Sequence, residues 1–104
     1  MDKSKKIKVD FTKIRVISVD DTSEVLDLSK IVGNCVYRTT PDIGMADLAR
    51  TVYHDGVADM TSAEINYFQQ IIYSSSYVLA AFKKPISQLL IDILNLQENE
   101  SNQI

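Results

Sequence analysis

The chain has 104 residues, 45% of them hydrophobic and 24% charged, with a formal net charge of −3. Such proportions belong to a folded globular chain and exclude a collagenous, mucin-like or wholly disordered one. No apolar run reaches the roughly 18 residues that a membrane span needs, and the lone Cys35 cannot form an internal disulfide.

The opening Met1-Asp2-Lys3-Ser4-Lys5-Lys6 has neither the apolar stretch nor the small-residue cleavage site of a signal peptide. A reducing, cytoplasmic setting is therefore expected, without membrane attachment. Charge is divided unevenly. Lys3, Lys5, Lys6, Lys8, Lys13 and Arg15 outweigh Asp2 and Asp10 to make the first fifteen residues +4, whereas the remainder is −7.

Residues 5 to 28 read as strand. Ile7, Val9 and Phe11 alternate, the stretch from Ile14 to Val19 is rich in β-branched residues, and Glu24 to Leu28 follows a polar break. A hairpin is expected there, turning at Asp20-Asp21-Thr22-Ser23, whose short side chains bond their own backbone. Leu26 and Leu28 share one face of its second strand. After Val16 the apolar register shifts to Ile17 and Val19, which predicts a bulge or burial on both faces.

Beyond Leu28 the apolar period lengthens to about 3.6 residues. Leu28, Ile31, Val32, Cys35 and Val36 mark one face of a helix over 29–38, with Ser29 as N-cap and Gly33 as a weak point. Pro41 forces a break, after which Asp42 caps a helix over 43–55 whose stripe is Met45, Leu48, Ala49, Val52 and Tyr53. Gly56 supplies its left-handed stop. Thr61-Ser62-Ala63-Glu64 is a capping box opening a helix over 62–73, with Ile65, Phe68 and Ile72 inward.

No glycine follows Gly56, yet one helix from Ser62 to Leu96 would run about 52 Å at 1.5 Å per residue. A break is expected at Ser74-Ser75-Ser76 or at Pro85, because serine is a poor helix interior and proline lacks an N–H. A fourth helix then covers 76–96, and residues 98–104 form a polar tail. The expected architecture is α+β: an N-terminal β-hairpin followed by three or four helices packed on one face, with residues 1–97 as a single domain.

The stretch with the clearest functional content is the C-terminal spacing. Leu79, Phe82, Ile86, Leu89, Ile93 and Leu96 are separated by 3, 4, 3, 4 and 3 residues, a heptad seam of about two and a half repeats. Two readings are open: the helix covers its own hairpin, or the seam docks on a partner protein or a second copy. The second rests on the small area that a two-stranded hairpin offers to so many large side chains.

The basic arm from Lys3 to Arg15 supports an alternative, a small regulator that holds nucleic acid phosphates. Nucleic acid is the disfavoured partner, because such arms also serve as solubilising strand edges and residues 51–82 contain no Lys or Arg to furnish a recognition helix. Tyr67, Tyr73 and Tyr77 then serve packing or an interface.

Chemistry-bearing residues are sparse. Cys35 is the only thiol and His54 the only imidazole; Cys35 falls on an apolar stripe, and His54 falls at a helix end where a cation meets the negative pole of the dipole. The acidic stretches Asp20-Asp21 with Glu24 and Asp55-Gly56 with Asp59 lack the ligand spacing of a calcium loop. Gly33, Gly44 and Gly56 are isolated, so no phosphate loop is formed. No enzymatic role, cofactor, metal or small-molecule substrate is expected.

Four short blocks carry a resemblance. They are Val9-Asp10-Phe11-Thr12-Lys13-Ile14; Asp27-Leu28-Ser29-Lys30 with Gly33-Asn34; Asp47-Leu48-Ala49-Arg50 with Tyr53-His54-Asp55-Gly56; and Thr61-Ser62-Ala63-Glu64. Spanning about half the chain, they resemble small uncharacterised accessory proteins encoded among phage-derived or conjugative-element genes of gut anaerobes. That resemblance implies an accessory or assembly role within a mobile element and brings no catalytic residues with it.

Overall fold

The computed structural model describes residues 6–102 and has the expected α+β architecture, with an N-terminal hairpin and four helices. Its elements in chain order are β1 (Ile7–Asp10), β2 (Ile14–Ile17), β3 (Ser23–Leu26), α1 (Ser29–Thr39), α2 (Ile43–Asp55), β4 (Val57–Met60), α3 (Ser62–Ser74) and α4 (Ala80–Asn102). No helix among the described residues is long and apolar enough to cross a membrane.

The hairpin is β2 with β3, antiparallel, in a register that sets Ile14 opposite Leu26 and Val16 opposite Glu24. Its loop is Val19–Asp21, three residues, so the turn lies one residue earlier than the expected Asp20-Asp21-Thr22-Ser23: Thr22 pairs with Ser18 and Ser23 begins β3. Asp21 N–H donates to Ser18 O, Ser18 N–H donates to Thr22 O, and Asp21 takes a left-handed φ of 67°. This is a type I turn closed by a bulge residue. Ile17 and Val19 are exposed, so the register shift marks the end of the strand and neither a bulge in it nor burial on both faces.

β1 stands outside the hairpin. It pairs antiparallel with β4, a strand that the sequence pattern did not reveal, in a ladder that sets Val9 opposite Ala58 and Lys8 opposite Asp59. Val9, Ala58 and Met60 are buried, while Lys8 and Asp59 are exposed and of opposite sign. Phe11, fully buried, joins the two sheets: its N–H donates to Gly56 O and its carbonyl accepts from Leu28 N–H.

One local device recurs three times. Asp10, Asp20 and Asp27 each accept, on Oδ1, both the backbone N–H and the hydroxyl of the Thr or Ser two residues on, at 2.5–3.2 Å. The Asp27 turn also corrects the cap of α1. Ser29 is the first helical residue and gives its hydroxyl to Asp27, so it does not cap the helix itself.

In all three turns the Thr or Ser hydroxyl, then the backbone N–H, holds the carboxyl below the ordinary aspartate value of 3.8. A carboxyl lowered on folding contributes stability that is present above its unfolded pKa and lost as pH falls through the folded one. Urea midpoints are therefore expected to fall below about pH 4, and the Asp10→Asn, Asp20→Asn, Asp27→Asn triple variant to lose much of that acid dependence. An unchanged acid slope in the triple variant would remove the three turns as its origin.

α1 ends at Thr39, and Thr40 is extended, as the residue before Pro41 must be. Asp42 caps α2 by accepting from Met45 N–H, and Gly56 closes it at φ 80°. A Cβ at Gly56 would overlap the Thr12 methyl. Thr61 and Glu64 form the reciprocal capping box of α3. α3 stops in the serine run, where Ser74 Oγ donates back to Gln70 O at 2.8 Å.

The break between the last helices lies over residues 75–79, so α4 begins at Ala80, later than the expected 76. It is continuous through Pro85 and runs through most of the expected polar tail, to Asn102. Pro85 is the sixth residue of the helix, near its N-terminal end. It cannot donate to Ala81 O, so the helix forgoes one backbone bond there.

The core gathers Phe11, Val32, Val36, Val52, Met60, Ile65, Phe68, Ile72, Ile86 and Leu90, from all four helices, from β4 and from the residue after β1. Ser87 lies among them with its hydroxyl buried and unpartnered. Ser87→Ala removes an unsatisfied group and adds helix propensity, so it should stabilise by about 1–2 kcal/mol in urea titrations. A destabilising result would mean that the hydroxyl is satisfied in solution.

Candidate protein-interaction groove

The six residues of the heptad spacing do not lie together on one exposed seam. Ile86 has no exposed surface and belongs to the core; Phe82, Leu89 and Ile93 are half-buried against it; Leu79 and Leu96 are 67% and 63% exposed. The buried line of α4 runs instead through Ile86 and Leu90, whose four-residue step is that of a helix packing on its own domain.

What α4 leaves open is the neighbouring face. Ala80, Ala81, Lys84, Pro85, Gln88, Leu89 and Asp92, spaced by one and three or four residues, form one wall of a groove of about 550 Å³. Lys13, Ile14, Arg15 and Ile17 of β2 and its approach form the other. Of the six heptad residues, Leu89 alone lines it.

Burial sorts the lining. Ile14 is buried and Pro85 and Leu89 are half-buried, so they form the deep part; Lys13, Arg15, Ile17, Lys84, Gln88 and Asp92 are exposed and form the lips. Ala80, Ala81 and Pro85 give the helix wall small or compact side chains. Two lips are basic. Lys13 and Arg15 on one side face Lys84 on the other, and Asp92 is engaged by Gln88 Nε2 at 2.8 Å.

The basic arm is divided. Lys3 and Lys5 lie outside the described residues, Lys8 stands opposite Asp59 in the β1–β4 ladder, and Lys13 and Arg15 border the groove. Of the tyrosines, Tyr67 packs and bonds Thr40 Oγ1 through its hydroxyl at 2.6 Å, while Tyr73 and Tyr77 are exposed.

Cys35 is buried on the core side of α1. His54 is exposed near the end of α2, edge-on to Tyr53 with ring centroids 5.2 Å apart. Core thiol and surface imidazole thus serve different elements. A second, shallower depression of about 280 Å³ lies between α1 and α2, lined by Gly33, Asn34, Tyr37, Ala49, Arg50, Tyr53 and His54. Among the described residues no group of three or more His, Cys, Asp or Glu side chains converges as a metal site.

No family model, curated protein or solved structure matches this chain.

Proposed function

We propose that this protein is a non-enzymatic interaction module that grips a segment of a partner protein in the groove between β2 and α4. One observation carries the reading: the groove of about 550 Å³ has an aliphatic floor, charged lips and walls formed by a strand and a helix, and its lining residues include no convergent catalytic groups. This keeps the C-terminal helix as the associating element and moves the contact from the heptad seam to the adjacent face. An accessory role in a mobile-element assembly, as the resemblance of the short blocks implies, suits a module of this kind.

The test is a selection of random peptides on the folded protein, followed by amide NMR of the winners. Shifts confined to residues 13–17 and 80–92, and their loss in Ala81→Phe, are the expected result. Ala81 is exposed, so the substitution fills the groove without entering the core. Peptides that shift other surfaces, or no enrichment at all, would overturn the reading.

A further inference from the structure

We infer, resting on the groove as the docking site, that its occupant is an extended acidic and apolar segment of a partner protein that adds to the free edge of β2 as a third strand.

The lining shows that the groove follows a strand edge. Side chains of a strand alternate between faces, so a cavity over one face of the hairpin would be lined by residues of one parity and would include β3. Here Ile14 points to the core side and Arg15 and Ile17 to the other, all three line the groove, and no β3 residue does. Among the described residues, β2 pairs with β3 alone.

The hydrogen-bond phase of the hairpin says which groups are offered. Ser18 N–H donates to Thr22 O across the loop, so that pair is turned inward. Facing pairs alternate in an antiparallel ladder, which turns Val16–Glu24 and Ile14–Leu26 inward as well. The N–H and C=O of Arg15 and Ile17 therefore point away from β3, toward the groove. An added strand satisfies these two donors and two acceptors.

Charge selects the occupant. Two β2 edges of separate copies would bring Lys13 and Arg15 against their own equivalents, and like charges opposed across strands are destabilising. A segment alternating apolar and acidic residues sets its apolar side chains on Ile14, Pro85 and Leu89 and its carboxylates beside Lys13, Arg15 and Lys84.

The probe is a fluorescein-labelled hexapeptide, Glu-Val-Glu-Val-Glu-Val, read by anisotropy. It should bind, weaken as salt is raised, and lose about tenfold in affinity in the Arg15→Glu, Lys84→Glu variant, whose two positions are exposed. In a strand the N–H groups of alternate residues face the same neighbour. N-methylation of the valines only, or of the glutamates only, should therefore abolish binding in one case and spare it in the other.

If both methylated peptides bind, or neither does, strand addition is overturned while the groove reading stands. If Ala81→Phe leaves the parent peptide's affinity unchanged, the groove reading itself falls. Equal binding of Lys-Val-Lys-Val-Lys-Val overturns the acidic preference, and an oligonucleotide that competes for the groove assigns its cations to phosphate. Growth of native mass with protein concentration, blocked by Ala81→Phe, would overturn the separate partner by placing β3 of a second copy on the edge.

Discussion

Ile86→Lys is expected to unfold the protein, and Leu89→Lys, three positions further on, to leave it folded. Ile86 has no solvent exposure, and the substitution removes a fully buried aliphatic side chain and puts an unpaired ammonium in its place. The cost exceeds about 4 kcal/mol, enough to remove the stability of a small domain at the low end of the usual 5–15 kcal/mol. Leu89 is half-buried on the groove wall, where a lysine stem lies along the aliphatic surface and its head reaches water, for about 1 kcal/mol.

Circular dichroism and urea titration separate the cases. A folded Ile86→Lys protein of lowered native mass would restore the heptad seam as the interface and remove Ile86 from the core.

Gly33→Ala is expected to destabilise by about 2–3 kcal/mol, the opposite sign to that given by helix propensity. Within an isolated helix the exchange gains about 1 kcal/mol, and for that reason Gly33 reads as a weak point of α1. In the folded protein it is the crossing point of α1 and α2. A Cβ there would lie 2.7 Å from Ala49 O, 2.8 Å from Tyr53 Cβ and 2.9 Å from Tyr53 N.

Two of those neighbours are backbone atoms of a packed helix and cannot move aside singly, so the pair must separate. Thermal unfolding reads the outcome directly. A raised Tm would mean that the two helices meet more loosely than these distances imply, and would return the position to propensity alone.

The glycine shows where local reasoning ends. Positions governed by their immediate neighbours were legible in the sequence: the hairpin loop at Asp20–Asp21, the extended Thr40 before Pro41, the Asp42 cap, the left-handed Gly56 and the Thr61–Glu64 capping box all involve bonds over a few residues. The apolar stripes of α1, α2 and α3 were legible for the same reason, since periodicity is a property of one element.

For the candidate site the sequence supplied the C-terminal helix and Leu89, and the tertiary structure changed which face of that helix is free. β4 has four residues, and alanine is one of them; only the pairing with β1, nearly fifty residues earlier in the chain, makes it a strand. The heptad spacing of Leu79 to Leu96 is compatible with docking on a partner or on its own core, because period alone does not say what lies opposite. The groove has no sequence signature. Ala80, Ala81 and Pro85 matter there by their small size beside a strand edge some seventy residues away, and the openness of an edge is decided only when every other strand has been paired.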